Sequence, residues 1–381
     1  MPEARTRPQV IHVATRYLRG GSEARIQDIV RALPEADHHL IVGPDSDVDL
    51  ARERLAPASL NVVRSLVREP NPPSDVSAFL RLVSLFRRIP HELLITHQSK
   101  AGILGRSAER WVGGAAVVHS LSMASFGPGY PRWQDYLFRT LEARLGRVTD
   151  GYTAVGADLV GRYTSIGVAA HKFHVVRSDA GLFRPPTDDG ANARESMGVP
   201  PDRPIVLYLG SLEPRKNVLD LVDVLERLLR GHPRGGKPFL VVAGQGPLEE
   251  PLKEALHRRD LAGDSALLGF VERPASLVAA AGALVLLSRV EGLPQVLVQA
   301  AAAGTPFVSY EVDGARELLA LGAVGAVVAT GDLRAVSDAL ARVLAVNRPV
   351  ANVDLSSWSP EAIAEGYRRV LHPLVRSRAG S

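Results

Sequence analysis

At 381 residues the chain outgrows a single ordinary hydrophobic core, so two domains are expected. Its 46% hydrophobic and 23% charged residues fit a globular protein and exclude a disordered or fibrous one. The lack of cysteine removes disulfide and thiolate chemistry and is compatible with the cytoplasm, while a net charge of +4 is far from the clustered basicity of a nucleic-acid binder.

Strand-like and helical patterns alternate from end to end. The first apolar run, Val10-Ile11-His12-Val13, is too short for a signal-peptide core and opens a strand at residues 10–15. Further strands are predicted at 39–43, 60–64, 93–97, 115–120, 152–156 and 174–177, with helices at 23–33, 75–88, 100–111, 133–147 and 157–166 between them. The turn-rich Phe183-Arg184-Pro185-Pro186-Thr187-Asp188-Asp189-Gly190 then reads as a linker. Beyond it the rhythm restarts, with strands at 205–210, 239–243, 266–270, 284–288, 307–310 and 326–329. The longest apolar run, Leu277 to Leu287, is about half of a membrane span, so any membrane contact would be peripheral. Ser356-Ser357-Trp358-Ser359-Pro360 caps a last helix at 361–371. The expected fold is therefore α/β, with two doubly wound Rossmann-like domains at 1–183 and 184–358. The tail, 359–381, should pack back on the first, and ligands should bind in a cleft at the carboxyl ends of the two sheets.

Two loops concentrate the chemistry. Gly210-Ser211-Leu212-Glu213-Pro214-Arg215-Lys216 follows a buried-type strand, and Asn217 is expected to start a helix at 218–230 with Asp220 as its capping partner. That would place Arg215 and Lys216 at a helix N-terminus, which already favours anions. The second loop, Ser288-Arg289-Val290-Glu291-Gly292-Leu293-Pro294, leads into a helix at 295–303. Gly292 lets a ligand approach the backbone, Glu291 can accept hydrogen bonds from sugar hydroxyls, and Gln299 would lie near the same face. Gly20-Gly21-Ser22-Glu23 forms a permissive loop feeding the first helix, and His119 is expected at the carboxyl edge of its strand. Asp45-Ser46-Asp47-Val48-Asp49 looks like a calcium loop but has Leu50 and Ala56 where Gly and Glu belong, so it is read as a solvated loop. Gly244-Gln245-Gly246 lacks the third glycine of a dinucleotide fingerprint, Glu249 standing in its place.

Taken in order, these pieces resemble the retaining glycosyltransferases of family 4, which have the GT-B fold. The resemblance runs through Gly20-Gly21, the stretch Thr96 to Arg106, His119, Val175-Val176-Arg177-Ser178, Gly210 to Asn217, Gly244-Gln245-Gly246, Leu268-Gly269-Phe270-Val271 and Glu291 to Gln299. It implies a nucleotide-sugar donor held by the C-terminal domain and an acceptor on the N-terminal one. Arg215 and Lys216 would then grip the diphosphate and Glu291 the sugar, His119 would reach the sugar from the other domain, and Gly21 would close over it. Phe270 and Val271 would meet the base, and Gly20, Gly210, Gly244, Gly292, Leu293, Pro294, Gln295 and Gln299 would complete the donor site. Ser22, Glu23, His97, Ser99, Lys100 and Tyr130 are candidates for the acceptor. The chain departs from the family at Ser211, where Arg is usual, and at Gln299, where Glu is usual. The latter should weaken a ribose contact by on the order of 1 kcal/mol.

The implied reaction transfers a hexose or N-acetylhexosamine, with retention, from a nucleotide-diphosphate sugar to a hydroxyl acceptor. The donor serves as co-substrate and no metal or other cofactor is expected. The segment Ser99-Lys100-Ala101-Gly102 is similar to members using UDP sugars. Lipid-linked glycan precursors and small natural products are both open as acceptors. No strongly basic amphipathic helix is read near the first domain, which favours a soluble acceptor. The competing readings are a silent sugar-nucleotide-binding homologue and a nicotinamide-dependent oxidoreductase. The residues do not fix an oligomeric state.

Overall fold

The computed structural model describes residues 7–18, 21–181, 194–195, 197–231, 236–272, 274–345 and 353–378. The chain divides into two compact units, Met1–Asp179 with Ser356–Ser381, and Ala180–Leu355. The expected linker at 183–190 lies outside the described residues.

The first unit holds a seven-stranded parallel sheet in the order β3-β2-β1-β4-β5-β6-β7. Its strands are β1 (Gln9–Ala14), β2 (Asp37–Val42), β3 (Ser59–Val62), β4 (Leu93–His97), β5 (Ala116–Leu121), β6 (Gly151–Ala154) and β7 (Phe173–Val175). The central strands are buried along their length, without alternation, because both faces are covered. On one face Ile11, Val13, Leu94 and Val117 pack against Leu82, Phe86, Ala101 and Ala108, from the helices Pro72–Arg88 and Ser99–Val112. On the other, Val10, Ile95 and Val118 meet Ile29 and Leu33 from the first helix region, with Tyr367, Val370 and Leu371 from the last helix. That last helix, Pro360–Arg378, thus belongs to the first unit's core. It runs well past the expected end at 371, because Val375 still buries against the core although Pro373 removes one backbone donor.

The second unit has a six-stranded parallel sheet in the order β10-β9-β8-β11-β12-β13. Its strands are β8 (Ile205–Leu209), β9 (Phe239–Ala243), β10 (Ser265–Gly269), β11 (Ala283–Leu286), β12 (Phe307–Tyr310) and β13 (Gly325–Val328). Its core joins Val206, Tyr208, Val242 and Val285 to Leu221, Leu225, Leu228 and Leu340.

Three local expectations are corrected. Asp47 does not sit in a loop with its neighbours: its carboxylate accepts from the Leu50 N–H at 2.9 Å and caps the helix Val48–Leu55. Asn217 adopts φ 49 at the end of a short 3-10 turn, Pro214–Lys216, and the α-helix begins only at Asp220. Strand β5 continues through Ser120 and Leu121, so His119 stands inside it and not at its end.

Candidate active site

In each sheet all strands run in parallel, so the loops that follow them gather at one edge. A crevice opens there between the two strands whose onward connections diverge. In the second unit those strands are β8 and β11, neighbours in the sheet with β9 beyond one and β12 beyond the other. The loops after β8 and β11 carry Arg215-Lys216 and Glu291.

The fold brings these loops together. Arg289 N–H donates to the Arg215 carbonyl at 2.9 Å. Lys216 Nζ donates to Glu291 Oε1 across 75 residues of sequence, and Arg215 Nη1 lies 3.8 Å from the same oxygen. Lys216 and Glu291 are each only 13% exposed, whereas Arg215 is 36% exposed and turns its Nε to Glu213 at 2.9 Å. Three cations, Arg215, Lys216 and Arg289, stand in these two loops against two carboxylates, Glu213 and Glu291.

Backbone contacts make the neighbouring loops rigid. Gly210 N–H donates to the Ala243 carbonyl, Leu212 N–H to Gln245, and Gly244 N–H to Gly269, at 3.0, 2.9 and 2.7 Å. Gly244 has φ 151, and a Cβ there would stand 1.8 Å from the Gly210 carbonyl oxygen, so only glycine allows this approach. Below the β8 loop, Tyr208 donates its hydroxyl to the Ser211 carbonyl at 2.9 Å. Burial pushes that phenol well up. Phe270, just past β10, is 56% exposed at the same edge, and Val271 follows it. Gly292 and Pro294 are buried, Leu293 is partly buried, and Gln295 opens the helix Gln295–Ala302. Gln299, on that helix, donates Nε2 to the Ala180 carbonyl at 2.9 Å, while its Oε1 is buried without a partner among the described residues. Ser288 opens the loop two residues past β11. It is fully buried and its Oγ also lacks a partner among the described residues.

The first unit treats its candidates differently. Gly20 lies outside the described residues, and Gly21 is the first residue of the helix Gly21–Ala32, which also contains Ser22 and Glu23. Glu23 is buried and has an interaction partner. His119, expected to reach a bound sugar, is instead 2% exposed. Its Nδ1 meets Thr96 Oγ1 at 2.8 Å and the Thr96 carbonyl at 3.1 Å, and its ring rests on Gly102. Burial holds it far below the usual imidazole range. It packs the sheet against a helix.

His97 is likewise enclosed, its Nε2 3.2 Å from His12 Nδ1, and burial lowers it to about 3. Lys100 is tied to Asp75 and to the Glu69 carbonyl, and so joins two helices. Tyr130 gives its hydroxyl to the Ala124 carbonyl at 2.7 Å. Ser99 is the first residue of its helix. Sequence spacing does not carry these partners in space. Sequence reasoning also missed Gln98, at φ 63, whose side chain accepts from Thr15 and Arg16 N–H and donates to the Arg16 carbonyl. It clamps the loop after β1 at the first sheet's own divergence point.

Residues 189–353 match the family described as "Glycosyl transferases group 1", and residues 20–179 match the "Glycosyl transferase 4-like domain". The chain is 28% identical over 345 residues to the 2-deoxystreptamine N-acetyl-D-glucosaminyltransferase of Streptomyces fradiae, covering 84% of this chain and 81% of that one. It is 24% identical over 273 residues to the UDP-Gal:alpha-D-GlcNAc-diphosphoundecaprenol alpha-1,3-galactosyltransferase of Escherichia coli, covering 71% and 70%. Among solved structures, Anabaena HepE in complex with UDP and glucose superposes with a TM-score of 0.71 at 17% identity, over 98% of this chain and 97% of that one. The shared fold is GT-B, with two Rossmann-like domains.

Proposed function

The chain belongs to the group 1 glycosyl transferases, and on that premise we propose that it transfers a hexose or N-acetylhexosamine, with retention, from a UDP-linked donor to a hydroxyl acceptor. The observation that carries this reading is the Lys216–Glu291 pair at the divergence point of the second sheet. A donor diphosphate is the stronger partner for Lys216. By drawing the ammonium away it frees the Glu291 carboxylate to accept from the sugar's hydroxyls, so one event loads both ends of the donor.

As the bond between the anomeric carbon and the phosphate oxygen breaks, negative charge grows on the leaving diphosphate. Lys216, largely screened from water, and the more open Arg215 neutralise it, Lys216 with a larger effect than in bulk solvent. The acceptor hydroxyl attacks the same face of the sugar and gives its proton to the departing phosphate oxygen. No separate nucleophilic carboxylate takes part, and the side-chain cations do the work a metal would otherwise do. The preference for UDP follows the relatives: the E. coli enzyme is named for UDP-Gal and the HepE complex contains UDP. The acceptor is a small-molecule or lipid-linked glycan precursor, in keeping with the aminocyclitol and undecaprenol-linked acceptors in the relatives' names.

Lys216→Ala should lower kcat/KM with a UDP sugar by roughly 10²–10³. The assay is initial-rate transfer or donor hydrolysis, run beside GDP, ADP and TDP sugars. Unchanged turnover in the variant would remove Lys216 from the mechanism, and a preference for another nucleotide would remove the donor assignment.

A further inference from the structure

We propose that the outer face of the first unit's helices Pro72–Arg88, Ser99–Val112 and Arg132–Leu145 docks on an anionic phospholipid surface. These helices follow β3, β4 and β5, and the middle one contacts both of the others. Their inner sides fill the core, and what they leave outside is unlike the rest of a chain whose net charge is only +4.

Six arginines on the three helices are exposed: Arg81, Arg87, Arg88, Arg110, Arg132 and Arg144. The helices also carry four carboxylates, and every one is paired. Asp75 pairs with Lys100, Glu109 meets His91 at 3.1 Å, Asp135 holds Arg139 at 2.9 Å, and Glu142 is fully buried on Arg106 at 2.8 Å. None of the four is exposed, so the outward charge of this layer is all of one sign.

Interleaved with the arginines are large apolar groups. Trp111 is 69% exposed, Trp133 61% and Tyr136 75%, with Leu80 and Leu137 also exposed. On the helix Arg132–Leu145, residues 133, 136, 137, 140 and 144 fall at i, i+3, i+4, i+7 and i+11, which is one stripe. Aromatic rings beside arginines are what a headgroup boundary accommodates, the ring sitting among the acyl ends and the guanidinium on the phosphate. Charge complementarity selects an anionic lipid over a neutral one, because each arginine near such a surface strengthens binding about fivefold. A nucleic acid would match the charge but leave Leu80 and Leu137 without partners.

The protein supplies its own probe. It has three tryptophans, of which Trp111 and Trp133 lie on this face while Trp358 is buried at 1% exposure. The full-length protein is mixed with vesicles of phosphatidylcholine alone, or of phosphatidylcholine and phosphatidylglycerol in equal parts. Sedimentation is measured together with quenching by brominated acyl chains. Expected are binding to the anionic vesicles only, loss of binding as salt is raised, and quenching that disappears in the Trp111→Phe/Trp133→Phe variant. Replacing Arg87, Arg88 and Arg144 by Gln should lower partitioning by about 100-fold. These are exposed sites outside the catalytic loops, and activity on a water-soluble acceptor should persist. Equal binding to neutral vesicles, no binding at low salt, or full binding by the arginine variant would each overturn the proposal. So would tighter binding to duplex DNA than to the anionic vesicles.

Discussion

Gly102 shows how much a single atom can decide. It sits in the helix Ser99–Val112, where alanine would ordinarily be favoured by about 1 kcal/mol. A Cβ at this position would stand 2.4 Å from His119 Cε1 and 3.1 Å from Nε2. That ring cannot yield easily, because Thr96 anchors it and no space surrounds it. Overpacking of about 1–3 kcal/mol should therefore win, and Gly102→Ala should lower the melting temperature. Gly161, in the helix Ala157–Thr164, is the internal control, since nothing lies within 4 Å of its added Cβ. Gly161→Ala should stabilise by about 0.5–1 kcal/mol. Equal effects at the two sites would mean that the His119 contact has no energetic weight. The same contact explains an incomplete reading of the site. Lys216 and Glu291 could be found from sequence because each follows a strand and both face one sheet edge. His119 stands two positions before the end of its strand, and its packing against Gly102 reveals that it is interior.

Thirteen strands were legible because the strands of a parallel sheet covered on both sides are largely apolar, and these ended within a few residues of the expected places. What escaped were features fixed by tertiary partners. The helix Val48–Leu55 depends on a cap and on Leu50, Ala51 and Leu55 reaching the core, while the delayed helix start at Asp220 follows from the left-handed Asn217. The Arg106–Glu142 pair is of this kind. It joins the helices Ser99–Val112 and Arg132–Leu145 through two 2.8 Å bonds, with both side chains fully buried. Arg106 also donates Nε to the Gly102 carbonyl at 2.8 Å. Removing one member leaves the other charge buried without compensation. Glu142→Leu should thus cost about 3–5 kcal/mol, whereas Arg106→Met with Glu142→Leu should recover most of the loss. Chemical denaturation of the two single variants and the double variant measures this coupling. Additive losses would show that the pair does not act as a unit.

Over the chain as a whole, the arrangement of titrating groups becomes readable only after folding. Each outer helix of the first unit carries one to three exposed arginines, so none looks basic alone, yet side by side they form one cationic face. The histidines are gathered in the same way, but inside. His38 Nε2 lies 3.0 Å from the Leu33 carbonyl, which can only accept, so that nitrogen carries the hydrogen. With the rings neutral, as burial favours, His38 Nδ1 accepts from His12 Nε2 at 3.0 Å, and His12 Nδ1 from His97 Nε2 at 3.2 Å. Burial accordingly lowers His12, His38 and His97, the last to about 3, and it lowers His119 as well. Because these folded values lie below the unfolded 6.5, the unfolded chain binds more protons in the acid range. Their stabilising effect is complete above pH 6.5 and is lost as the pH falls towards the folded values. Each fully buried histidine contributes a slope of up to about 1.4 kcal/mol per pH unit in that window. Asp28 acts the other way: burial raises it to about 6 from 3.8, so the folded state takes up its proton first and offsets one histidine between those values. Denaturation midpoints of the first unit, followed by fluorescence of Trp358, should therefore drop steeply from pH 7 to pH 5. A flat or rising profile would mean that the buried row is already charged in the native protein, and the hydrogen-bond directions assigned to it would have to be reversed.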